Sequence, residues 1–166
     1  MRLGWIIAAV VLAVGPSHSA WAESAQVNER FVKVYGPSAP PVGYRAFCDR
    51  HPAHCLLSVR KSRTHLTPAR WDDLETINLI VNRTVAPVSD QKLYGHTEHW
   101  TYPERRGDCE DYVLLKRRML MQRGWPASAL LITVVRDEFG GGHAILTART
   151  TSGDFILDNR LDEVVA

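Results

Sequence analysis

The stretch from residue 107 to residue 126 constrains the fold more than any other. Asp108 is a helix N-cap type, and Asp111 three residues later forms an acidic variant of the capping box. Residues 112–123 are rich in Leu, Met, Lys and Arg, all strong helix formers, and Gly124 followed by Pro126 supplies the stop. Three apolar segments follow at 130–136, 142–148 and 154–158, separated by turn-like residues, and read as strands. A helix feeding a run of strands predicts an α+β domain with N-terminal helices packed on an antiparallel sheet. A second helix is expected upstream, where Thr67 caps and Pro68 takes the first helical position. Its Trp71, Leu74, Ile77, Asn78, Val81 and Val85 recur every three or four residues, so one face is buried; it should stop near residues 84–87. A polar loop with aromatics is expected over residues 88–106.

Two N-terminal segments are set apart from this domain. Arg2, an apolar run over residues 3–14 and the small-x-small signal Ala20-Trp21-Ala22 make residues 1–22 a secretory signal peptide. The run is short of the ~20 residues a spanning helix needs, and Gly15-Pro16 follows it. The cleaved chain therefore has no expected transmembrane segment and belongs in an oxidising exported compartment, the periplasm in a Gram-negative bacterium. Residues 23–43 carry Gly36-Pro37-Ser38-Ala39-Pro40-Pro41 and read as an extended Pro-rich arm, leaving 44–166 as one domain. A net charge of +2 with no basic stripe gives no reason to expect a nucleic-acid partner.

Cys109 is the most informative position for chemistry. The first turn of a helix favours an anion, a placement that lowers a thiol below its free pKa of about 8.5 and makes it a nucleophile. The competing reading is a buried, inert cysteine. Asp108, Glu110 and Asp111 crowd the thiol with charge that an inert core does not tolerate. They also oppose a thiolate, so a hard cation such as Ca²⁺ is expected to neutralise them, unless capping and solvation alone account for the acids. His143 follows Gly140-Gly141-Gly142, and Asp158 ends the next strand. If the hairpin loop spans residues 149–152, Asp158 lies directly opposite His143 and can hold its tautomer. Cys109, His143 and Asp158 are then nucleophile, general acid and base, and orienting carboxylate. The Cys109 N–H would serve as one oxyanion donor, with the second sought among His96, His99, Trp100 and Tyr102 or these four left to ordinary packing.

Cys48 and Cys55, with His51 and His54 between them, fit either a disulfide or a zinc site. Export favours the disulfide. In a continuous helix the two would stand about 10.5 Å apart, beyond the ~7 Å that a bridge tolerates, so a bridge requires a break, which Pro52 can provide. Cys109 would then remain unpaired.

The wording Gly107-Asp108-Cys109-Glu110-Asp111-Tyr112, then Gly142-His143-Ala144, then Leu157-Asp158-Asn159 resembles the bacterial transglutaminase-like cysteine proteinases, among them the LapG-like adhesin-processing proteases. The resemblance runs from about Tyr44 to the last strand. It implies a papain-like, transglutaminase-like fold, a Cys109-His143-Asp158 triad, and Ca²⁺ held by Asp108 and Glu110, with Asp111 as a third ligand. It also implies a protein substrate, a large surface adhesin, and an inner-membrane cyclic di-GMP receptor as a partner. The expected function is that of a periplasmic cysteine endopeptidase. The alternatives are acyl transfer to an amine by the same triad, or a catalytically silent binding module of the same fold.

Overall fold

The computed structural model describes residues 30–55 and 63–166. The signal peptide read at 1–22, the start of the arm at 23–29 and the segment 56–62 lie outside the described residues. Residues 30–41 carry no helix or strand, and α1 spans Val42–Arg50, so the helix begins within the last two residues of the stretch read as an arm. His51 leaves the helical region, and Pro52–His54 forms a single 3₁₀ turn. This break folds the chain back, so that Cys48 and Cys55 are joined by a disulfide with their Cα atoms 5.6 Å apart.

Helix α2 spans Pro68–Thr84, and the Thr67 side chain accepts a hydrogen bond from the Arg70 N–H. Leu74, Ile77, Asn78 and Val81 form its buried face, as the periodicity predicts. The segment expected to be irregular is more ordered than composition suggests. Ala86–Pro87 (β1) pairs in parallel with Arg106–Gly107 (β2), and a short helix α3 spans Asp90–Tyr94. Two-residue strands and a one-turn helix are too brief to leave a periodic signal.

Helix α4 spans Cys109–Gln122, and the sheet follows in the order β3 (Leu130–Arg136), β4 (Gly142–Thr150), β5 (Gly153–Leu157), antiparallel throughout. The β4–β5 register differs from the expected one. Thr150 faces Gly153 and Leu146 faces Leu157, so the hairpin turns at residues 151–152 rather than over 149–152. The ladder ends at Leu157 and Asp158 is not directly opposite His143. The slip is two residues, which keeps every side chain on its own face. His143 and Asp158 therefore meet diagonally rather than face to face.

Side chains from α2 (Leu74, Ile77, Val81), α4 (Tyr112, Val113, Leu120) and the sheet (Leu130, Leu146, Leu157) make one core. Each such side chain contributes about 1.5–3 kcal/mol on burial, so this layer holds α4 against β4 and sets the position of both. A smaller cluster of Phe47, Trp100 and Leu114 packs beside the disulfide. Gly43 is required there, since a Cβ at that position would stand 2.2 Å from the Trp100 ring. Arg117 ties the two clusters together by donating to the carbonyls of Leu130 and His54 at 3.1 and 3.0 Å.

Candidate active site

Cys109 opens α4 directly after β2, and its neighbour Asp108 is the N-cap residue by position. The Asp108 side chain makes no cap hydrogen bond. Its Oδ2 accepts instead from the Asp90 N–H at 3.1 Å. Asp111 does not close a capping box either, because its Oδ1 accepts from the Thr101 N–H at 2.9 Å. The other Asp111 oxygen lies where a Cβ on Gly107 would come within 2.5 Å, so only glycine fits before the cap. Each of these acids gives one oxygen to the preceding loop rather than to the helix end.

Across the sheet, His143 near the start of β4 is buried, and its Nε2 lies 2.9 Å from Asp158 Oδ1. The same Asp158 oxygen accepts the Arg160 N–H at 2.9 Å. With Nε2 donating to the carboxylate, Nδ1 is the ring nitrogen left to accept a proton. Cys109 and His143 line one open cleft of about 270 Å³, bordered by Ser89, Asp108, Gly142 and Asn159. The Ala144 backbone amide, next in chain to His143, acts on the Cys109 sulfur in the direction that favours a thiolate. Of the sequence-predicted residues, His143 is bonded to Asp158 and shares one cleft with Cys109, at the junction of α4 and the sheet.

Electrostatics at the sulfur run against the expectation from the helix terminus. Burial, reinforced by the carboxylates of Glu110 and Asp108, pushes the thiol up to about 12. The Cys109 Sγ–H donates to Glu110 Oε2 at 3.1 Å. The helix end supplies a favourable field, but desolvation and two adjacent anions outweigh it.

The acids themselves are strained in the same sense. Burial pushes Glu110 up to about 7 and Asp111 up to about 8, with the Asp108 charge adding to both, and Asp108 is also raised, chiefly by burial. Asp90, Asp108 and Glu110 offer ligand oxygens that lie within 4.8 Å of one another. Asp90 Oδ1, Asp108 Oδ1 and Asp111 Oδ2 are buried without a hydrogen-bond partner. An all-oxygen set with orphaned acceptors suits a hard cation of the calcium type and lacks the nitrogen or sulfur donors usual for zinc. Asp111 falls outside that grouping and Asp90, which the sequence reading did not single out, belongs to it. Asp90 lies eighteen residues before Asp108 on α3, and no local spacing links the two.

His96, His99, Trp100 and Tyr102 do not border the cleft. Trp100 and Tyr102 instead pack with Phe47 and Tyr44, and the Tyr102 hydroxyl pairs with His54 Nδ1 at 2.7 Å. His96 and His99 meet edge to face, and both make tilted ring contacts with Tyr94. His51 and His54 are likewise in ring contacts, beside cysteines already joined to each other, so the zinc alternative is not realised.

Among solved structures, the chain is similar to LapG of Legionella pneumophila in its calcium-bound form, with 21% identity and a TM-score of 0.52 over 74% of this chain and 66% of that one. The EGTA-treated form of the same protein matches at 21% identity and a TM-score of 0.51, covering 64% of its length. The chain thus spans just under two thirds of these relatives. No curated protein matches it. Residues 34–166 match the model of the bacterial transglutaminase-like cysteine proteinases, and the chain belongs to that family.

Proposed function

We propose that the protein is a calcium-dependent cysteine endopeptidase in which Cys109 is the nucleophile, His143 the general base and acid, and Asp158 the group that holds the imidazole. The observation that carries the reading is the 2.9 Å His143–Asp158 pair opening on the cleft that also holds the otherwise unpaired Cys109. His143 Nδ1 takes the thiol proton, and the sulfur attacks the peptide carbonyl. The imidazolium then protonates the leaving amine, and a thioester remains on Cys109. Water, deprotonated by the same nitrogen, releases the acid and restores the thiol. The Cys109 N–H at the start of α4 supplies one oxyanion donor.

Asp90, Asp108 and Glu110 would hold the calcium. Bound there, it supplies positive charge that offsets the acids around the sulfur. The Glu110 carboxylate that now accepts from the thiol is one of the proposed ligands, so metal binding and thiol protonation compete for one group. The calcium-bound state of the LapG neighbour supports this choice of ion. Among the described residues no helix is long and apolar enough to cross a membrane. With the signal-like N-terminus, this supports a periplasmic enzyme whose substrate is an exported protein. By family resemblance that substrate is a large surface adhesin, and a cyclic di-GMP receptor of the inner membrane is the controlling partner.

A thiol-directed activity probe tests the reading. Labelling confined to Cys109 with calcium, and lost with chelator or in Cys109→Ala, is the expected outcome. No labelling in either condition would overturn the peptidase, and equal labelling in both would overturn the calcium requirement.

A further inference from the structure

Two turns along α4 from Cys109, Lys116 is 0% exposed. A buried amine is costly in a core that an apolar side chain of similar size could fill. Its Nζ donates to Asn78 Oδ1 on α2 at 2.7 Å. The Asn78 carboxamide nitrogen in turn donates to the carbonyls of Leu161 and Asp162 at 2.8 and 2.9 Å. One turn later, the Asn82 nitrogen donates to the carbonyls of Asp158 and Leu161 at 3.0 and 2.8 Å. The α2 helix therefore holds residues 158–162 by a ladder of carboxamide donors.

The ladder matters because Asp158 lies beyond the end of the β4–β5 pairing, which stops at Leu157. Sheet hydrogen bonds do not fix Asp158; Asn82 holds its carbonyl, and Asn78 holds residues 161–162 just after it. Lys116 fixes the Asn78 carboxamide in turn. The ammonium form requires the oxygen of Asn78 to face it, so the N–H groups face the 161–162 carbonyls; a flipped amide would set donor against donor there and acceptor against acceptor at the loop. Burial pulls the Lys116 ammonium down to about 7, while Asp158 and Asp162 pull it back up, so the loop also senses this amine electrostatically.

We propose that Lys116 and Asn78 form a positioning pair that ties the helix of Cys109 to the segment of Asp158, holding thiol, imidazole and carboxylate in one frame. The proposal rests on the triad reading above, deepens it, and can fail separately from it. Neither residue touches substrate; they act through Asp158.

The test uses the full chain with calcium and three variants: Lys116→Met, Asn78→Asp and Asn82→Ala. Asn78→Asp is the sharpest, since it keeps an acceptor for Lys116 but loses both donors to the loop. One readout is the proton resonance of His143 Nε2–H, which moves downfield when it is held by a carboxylate. The other is the rate of Cys109 alkylation by iodoacetamide, which is specific because the remaining cysteines are paired. Folded Lys116→Met and Asn78→Asp should lose or broaden the downfield signal. Their alkylation should slow by on the order of 10- to 100-fold, the scale expected for a misplacement near 1 Å. Asn82→Ala, which removes the carboxamide on the Asp158 carbonyl itself, should show a comparable loss. Should Lys116→Met not fold, the two asparagine variants decide. An unchanged His143 resonance and an alkylation rate within about twofold of wild type in folded variants would overturn the proposal. A wild-type protein that shows the downfield signal yet neither labels nor cleaves would break the peptidase reading and leave the positioning pair standing.

Discussion

The two ends of the buried stretch of α4 carry charge in opposite ways. At its start, Glu110 and Asp111 follow Asp108; Asp108 and Asp111 each keep a carboxylate oxygen without a partner, and burial raises all three acids. Two turns on, Lys116 and Arg117 are just as buried, but each is satisfied by protein acceptors. A buried charge with its bonds made is part of the scaffold, whereas a cluster of buried carboxylate oxygens left open suits a cation. The difference separates the place where a ligand is expected from the place where the fold is held.

The largest effect should come from the cleft beside the negative end, where His143 faces it from β4. His143→Ala removes the group that takes the thiol proton, and turnover of any peptide substrate should fall by on the order of 10²–10⁴. Circular dichroism should remain unchanged. A His143→Ala protein that cleaves at the wild-type rate would break the assignment of His143. Next comes calcium. At a concentration 100 times its dissociation constant, an ion bound only by the folded chain adds about 2.7 kcal/mol, read as a rise in Tm by calorimetry. Asp90→Ala should weaken that rise sharply and Asp111→Asn much less, because Asp90 belongs to the oxygen cluster and Asp111 does not. The reverse ranking would move the site.

At the positive end, pH sharpens the contrast. Folded Lys116 sits at about 7 and an unfolded lysine at about 10.4. Between those values the unfolded chain binds a proton that the folded chain has released, so stability rises with pH across that window. Lys116→Met lacks the group and should lack the rise. Urea midpoints measured at saturating calcium for both proteins isolate Lys116 from the acids, and two curves that run parallel would show that the amine titrates normally. The smallest effect belongs to Thr67→Ala at the start of α2. Loss of its cap hydrogen bond should cost about 1 kcal/mol and leave Cys109 alkylation unaltered. A large loss of alkylation there would mean that scaffold and site are not separable as described.

Much of the fold was legible because local chemistry agreed with the global arrangement. Thr67-Pro68 starts α2 where capping rules place it, β3 has the expected bounds, and the turn at Pro52 makes the Cys48–Cys55 bridge feasible. The β4–β5 slip was not legible, because apolar alternation repeats every two residues and cannot distinguish registers that differ by two. The turn residues fitted either loop. His143 and Asp158 met regardless, since that slip preserves the face. Asp90 was hidden for a different reason: the short α3 and the β1–β2 pair bring it to Asp108 by tertiary folding alone. Asp108 and Asp111 read as caps because residue type marks preference, while the loop they satisfy is not visible in local spacing.

The central claim is that Cys109 carries the acyl group and His143 drives its transfer. It is tested most directly by mixing the calcium-loaded protein with an excess of a p-nitrophenyl acyl ester, quenching in acid and mapping the product by mass spectrometry. The account predicts one thioester, on Cys109, that forms in wild type, disappears as water releases it, and does not accumulate in His143→Ala. Acylation elsewhere while the Cys109 thiol stays free, or equal acylation of Cys109 in wild type and His143→Ala, would contradict it.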